Sequence, residues 1–140
     1  MDFRKNFSKR LSALRKNKGV SMATLGEYLS VTDEAVRLLE KGKRSPSFEI
    51  LCALATYFDV PLDYLTGRGI FENWEKIMQY KDIVLKLLYE QYKDLKSPVL
   101  TFRALDDLDE KTLMRVLPAL IERVEVDETG SRPEIRVILL

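Results

Sequence analysis

The chain has 140 residues, 46% of them hydrophobic and 32% charged, with one cysteine and no histidine. That length holds one domain, or one small domain with an appendage, and no apolar run approaches the ~20 residues needed to cross a membrane. The opening MDFRKNFSKR has no apolar signal-peptide core and Cys52 is alone, so a cytoplasmic address without an internal disulfide is expected. A His/Cys metal site is not expected, and no cofactor is implied. Net charge is +1 but uneven: residues 1–68 hold 12 Lys/Arg against 8 Asp/Glu (+4), and residues 69–140 hold 11 against 14 (−3). A basic front suits a surface that meets phosphate, and an acidic back one that meets protein.

The first helix is predicted over Phe3 to Lys18, where Phe3, Phe7, Leu11 and Leu14 recur at helical spacing among lysines and arginines. Arg10 is expected inward or along the helix edge, and Gly19 ends the segment. Ser21 caps a second helix whose Leu25 and Leu29 face inward, one turn apart. Ser30-Val31 forms a short joint, Thr32 caps a third helix with Val36 and Leu39 inward, and Gly42 closes it. Pro46 and Ser47 then introduce a fourth helix, Phe48 to Phe58, with a broad apolar face. Cys52 reads there as a small buried hydrophobe. Pro61 opens a short fifth helix, Leu62 to Leu65, closed by Gly67.

The pieces RLSALRKNKGVS, LGEYLSVT, LLEKGKRSPS and LATYFDVPLDYLTG follow one another over about 60 residues, Phe7 to Gly67. In this order and spacing they resemble the λ-repressor-like, Cro/CI-type (XRE) helix-turn-helix family. The resemblance implies a five-helix DNA-binding domain over residues 1–68, usually dimeric on operator DNA. It further implies an ion pair between Arg10 and Glu40 that locks the first helix onto the third. The family's DNA contacts map here to Ser21, Met22 and Thr24, to Thr32, Asp33, Glu34, Arg37, Leu38 and Lys41, and to Lys43, Arg44 and Ser45. Lysine and arginine at the loop and helix ends suit phosphate, and Arg37 suits guanine, with which it can make two hydrogen bonds. Two positions depart from the family pattern. Met22 stands where a glutamine amide often holds a phosphate, and Asp33 and Glu34 stand where neutral or basic residues are usual. These carboxylates either favour the helix N-terminus electrostatically or accept from a cytosine amino group.

From Gly69 the character changes. Residues Ile70 to Leu95 are predicted as one long helix, with Trp74, Ile77, Met78, Val84, Leu85, Leu88, Tyr92 and Leu95 as its stripe and Lys81 interrupting it. Ser97-Pro98 ends it. The acidic Asp106 to Asp109 reads as a helix start rather than a metal site. A helix over Glu110 to Val124 is expected to bury Leu113, Val116, Leu117, Leu120 and Ile121, and to kink or break at Pro118. Val124 to Asp127 and Glu134 to Leu140 then read as a β-hairpin. LIERVEVDETG and EIRVILL together resemble the C-terminal helix-plus-hairpin of large serine recombinases over about 20 residues, with no catalytic serine domain beside it.

The expected architecture is therefore mainly α: a five-helix λ-repressor-like domain over 1–68, then a helical region ending in a C-terminal β-hairpin over 69–140. The expected function is a sequence-specific, dimeric transcriptional regulator. It would act as a repressor on a twofold-symmetric operator, reading DNA through helix 32–41 and dimerising through residues 69–140. The competing reading is an antitoxin-like or adaptor module that keeps the fold with weak DNA binding. No nucleophile beside a base and no phosphate-cradling glycine loop suggests an enzyme.

Overall fold

The computed structural model describes residues 2–92 and 107–140. Leu95, Ser97, Pro98, Leu105 and Asp106 lie outside the described residues. The chain divides into two compact units, Met1–Arg68 and Gly69–Leu140.

The first unit is helical throughout: α1 (Phe3–Lys18), α2 (Met22–Leu29), α3 (Asp33–Glu40), α4 (Phe48–Phe58) and α5 (Leu62–Thr66). Short polar caps set four of the five starts. Asp2, Ser21, Thr32 and Ser47 each accept from the backbone N–H three residues on, which satisfies one orphan donor of the first turn. The core is Phe7, Leu11, Leu25, Val36, Leu39, Leu54, Phe58 and Leu65. Phe3, at the first position of α1, is instead 47% exposed.

The joint between α2 and α3 is tighter than its sequence suggests. Ser30 takes a left-handed conformation (φ 58°) without being glycine, and Val31 N–H donates back to Gly26 O at 2.9 Å. Gly26 is required by proximity: a Cβ there would lie 2.8 Å from Val31 O. The absent side chain lets the joint fold onto α2, which fixes where α3 starts.

The second unit opens with a 3-10 turn, Gly69–Asn73, then α6 (Trp74–Gln79), α7 (Lys81–Tyr92), α8 (Glu110–Val116), a second 3-10 turn at Leu117–Ala119, and strands β1 (Ile121–Asp127) and β2 (Glu134–Leu139). The single long helix expected from Ile70 is thus corrected to a turn and two helices that break at Tyr80 (φ −107°, ψ 29°). A straight helix would place Lys81 one turn after the buried Ile77, on the apolar stripe. The break re-aims α7, so that Val84, Leu85 and Leu88 are buried while Lys81 is only half-buried. The helix expected to run to Val124 ends near Pro118, the break foreseen there, and the chain is already extended at Ile121.

β1 and β2 pair antiparallel, Val124 opposite Val137 and Glu125 opposite Arg136. Ile121 and Val124 are both buried although an odd number of steps apart, which a regular strand forbids. The register shift between Ile121 and Arg123 supplies the extra residue that turns both inward. A lone hairpin is marginal in water. This one is tied down by its own unit: Asn73 Nδ2 donates to Val124 O at 3.0 Å, Gln91 Nε2 donates to Val137 O at 3.1 Å, and Tyr80 Oη donates to Glu128 at 2.7 Å. Glu128 also forms an ion pair with Lys76, and together these two donors hold its carboxyl below the ordinary range. No helix among the described residues is long and apolar enough to cross a membrane.

Candidate nucleic-acid interface

α3 buries Ala35, Val36 and Leu39 and leaves its other side to solvent. Thr32 Oγ1 accepts from Ala35 N–H at 3.0 Å, so the helix begins cleanly where Asp33 and Glu34 stand. Both are exposed, and negative charge in a first turn is electrostatically favoured. At the far end Lys41 is exposed, and Gly42 (φ 72°) turns the chain so that Lys43, Arg44 and Ser45 follow in the open. Among the residues expected to contact DNA, Asp33, Glu34, Arg37, Leu38, Lys41, Lys43 and Arg44 therefore lie on one helix face and the loop behind it.

Arg37 is not a free cation. Its Nε donates to Glu34 Oε2 at 2.7 Å and its Nη2 to Glu34 Oε1 at 2.5 Å, a two-bond fork one helical turn long. That fork lowers the Glu34 pKa and raises that of Arg37, in both cases chiefly through the side-chain hydrogen bond. Asp33 is engaged separately, accepting from Glu34 N–H at 2.9 Å.

At the start of α2, Ser21 and Thr24 are exposed and Met22 is half-buried. The Ser21 hydroxyl oxygen accepts from Thr24 N–H at 3.0 Å while its hydrogen donates to Thr24 Oγ1 at 2.9 Å. The Ser21 hydroxyl is thus engaged as both donor and acceptor, that of Thr24 only as an acceptor, and the thioether of Met22 offers no donor.

The ion pair that anchors α3 differs from the one expected. Glu40 pairs with Arg15, Nε to Oε2 at 2.8 Å, rather than with Arg10. Helix rotation gives the reason. Ser8 Oγ lies 2.8 Å from Leu39 O, so the Ser8 side of α1 faces the end of α3. Arg15, seven residues on, shares that face, whereas Arg10, two residues on, points round the helix. Arg10 is buried instead against α5, donating to Tyr64 O with its guanidinium 4.6 Å from the Tyr64 ring centre. Arg15 also donates to Val20 O at 3.0 Å. Glu40 Oε1 is buried without a protein hydrogen-bond partner, which leaves the carboxylate dependent on Arg15.

Ser8 is the positioning residue that sequence reasoning missed. Its oxygen also lies 2.8 Å from Arg4 O, so its one hydrogen serves two carbonyls in turn. A Cβ on Gly42 would come within 3.3 Å of it. The available signal was a small polar residue three before Leu11, on the buried stripe. Among the described residues no group of His, Cys, Asp and Glu could hold a metal ion.

Two short helices with a tight joint, a capped second helix with a polar outer face, and three helices packed around them define a helix-turn-helix domain. Over that domain, residues 11–65, the chain matches a helix-turn-helix family model. The uncharacterised HTH-type transcriptional regulator YqaE of Bacillus subtilis (strain 168) is 34% identical over 73 residues, 52% of this chain and 60% of YqaE. The chain thus spans about three fifths of that relative. The HTH-type transcriptional regulator ImmR of the same organism is 25% identical over 129 residues, 91% of this chain and 98% of ImmR. Among solved structures, the P22 c2 repressor in complex with a synthetic operator is 30% identical, with 42% of this chain and 89% of that one covered and a TM-score of 0.41.

Proposed function

We propose that the protein is a sequence-specific transcriptional repressor that binds a twofold-symmetric operator as a homodimer, with α3 in the major groove. The observation that carries this reading is the outer face of α3. It is capped at its start, backed by the buried Ala35, Val36 and Leu39, and continued by Lys41, Lys43 and Arg44 in the open. Exposed lysine and arginine at the end of such a helix suit duplex phosphates, and Arg37 suits a base edge. The likeness to ImmR, a transcriptional regulator, extends over 91% of this chain and supports the same reading for the whole of it. Residues 69–140 form the dimer. Among the described residues their sheet has two strands and hence two edges, Leu140 is 76% exposed, and a second copy would cover such a surface.

Selection of bound sites from a random duplex pool tests the function. Recovered sites with two mirrored half-sites about one helical turn apart are expected. A pool left unenriched at low salt would exclude the regulator reading and favour a protein-interaction module. Sedimentation of the chain cut after Arg68 tests the dimer assignment: the shortened chain should be a monomer, and a dimer of unchanged affinity would place the interface elsewhere.

A further inference from the structure

The fork between Arg37 and Glu34 constrains how Arg37 can present itself. A guanidinium carries five N–H donors in one plane. Glu34 occupies the side of that plane, taking Nε–H and one Nη2–H. The two parallel donors that remain usable together are at the tip, one on Nη1 and one on Nη2. A guanine offers O6 and N7 in the major groove as a matched pair of acceptors. Side-chain direction fits as well, because a helical side chain leans toward the N-terminus of its helix, the end that meets base edges in this motif. Arg37 therefore reaches back over the turn that holds Glu34.

The pair is exposed, with side chains 41% and 60% accessible, so it adds little to stability. Its effect is on freedom. An arginine has many rotamers, and immobilising it opposes binding. We propose that Glu34 is a positioning residue that holds Arg37 tip-first for one guanine in each half-site. It keeps the arginine off neighbouring phosphates at the same time. This rests on the reading that α3 enters the major groove. It also answers why an acidic residue stands where phosphates come close: the carboxylate trades some general affinity for discrimination.

The test uses the full chain and the site recovered by selection. Affinities are measured for that site and for the same site with its Arg37-read guanine replaced by adenine, for wild type and for Glu34→Ala, Glu34→Gln, Glu49→Ala and Arg37→Lys. A bidentate contact supports a preference of about tenfold or more. Glu34→Ala should cut that preference to about threefold or less while binding unrelated duplex more tightly, since a charge repelled by phosphate has gone. Glu34→Gln keeps the size but not the two-acceptor fork and should fall between. Arg37→Lys should lose the preference too, because an ammonium cannot present a planar pair of donors. Glu49→Ala removes an exposed first-turn carboxylate from α4 instead and should keep the preference. A Glu34→Ala protein with full preference overturns the proposal. So does one weakened by the same factor on every duplex, which would mark Glu34 as a helix-stabilising charge only. A wild-type chain that selects no site overturns the regulator reading, and the positioning role with it.

Discussion

Replacing Arg15 or Glu40 by alanine tests how α3 is held. The Glu40 side chain is 4% accessible and that of Arg15 12%. Removing one partner of a fully buried pair costs ~3–5 kcal/mol, because the other charge is left without compensation. Arg15 retains some water, and it keeps Val20 O as an acceptor when Glu40 is gone. Glu40→Ala should therefore cost about 1–2 kcal/mol. Arg15→Ala should cost more, about 2–4 kcal/mol, since it strands a carboxylate whose Oε1 already has no protein partner. In a unit of this size each kcal/mol moves the midpoint by roughly 4–8 °C. Urea unfolding of the single and double variants, followed by circular dichroism, gives the coupling, expected at about 1–3 kcal/mol. A parallel cycle on Arg10 and Glu40 should give a value near zero. If Arg10 and Glu40 couple more strongly than Arg15 and Glu40, the rotational argument for α1 is wrong.

Three further outcomes are expected. Gly26→Ala gains about 1 kcal/mol of helix propensity but must open the 2.8 Å approach to Val31 O, at a cost of ~1–3 kcal/mol. The variant should melt slightly lower and lose DNA affinity well beyond its loss of stability; equal affinity would show that the joint tolerates a shift. Met22→Gln supplies an amide donor at the start of α2 and should tighten binding to every duplex by a few-fold, with the salt slope unchanged because the residue stays neutral; a steeper slope would point to a rearranged contact. Glu34, Asp109 and Glu128 all have depressed pKa values, chiefly through side-chain hydrogen bonds from Arg37, Thr112 and Lys76 respectively. Their contribution to stability is complete above the ordinary values of 4.5 for glutamate and 3.8 for aspartate and is lost as pH falls through the lower folded-state values. The denaturation midpoint should accordingly hold steady from pH 7 to about 5 and drop below about 4; a midpoint that rises on acidification would contradict these partners.

The helices of the first unit were legible because their signals are local. Ser21, Thr32 and Ser47 each precede an apolar period, and Gly19, Gly42 and Gly67 each follow one. Ser30 and Asp59 also adopt left-handed conformations; serine gives no hint of it, and aspartate only a weak one, being tolerated there more often than most residues. The partner of Glu40 was not legible either. It depends on how α1 is rotated against α3, which only the packed unit decides. In the second unit, no glycine or proline marks the break at Tyr80. Leu117, Leu120, Ile121 and Val124 satisfy a helical period, yet Ile121 and Val124 form an inward strand face once the bulge is allowed for. Period alone could not choose between them. In the candidate interface, Glu34 and Arg37 were each identified singly. Their fork could be anticipated from the three-residue spacing, but which donors it consumes could not.

Trp74 is the sole tryptophan, and it lies 1% exposed in the second unit with its indole N–H on Glu110 Oε1 at 2.9 Å. The first unit has tyrosines but no indole. Indole emission, excited at wavelengths that tyrosine does not absorb, thus watches one half, whereas far-ultraviolet ellipticity sums over both. Comparing the two signals during a melt shows whether the halves come apart together or in turn, without attaching a dye or cutting the polypeptide.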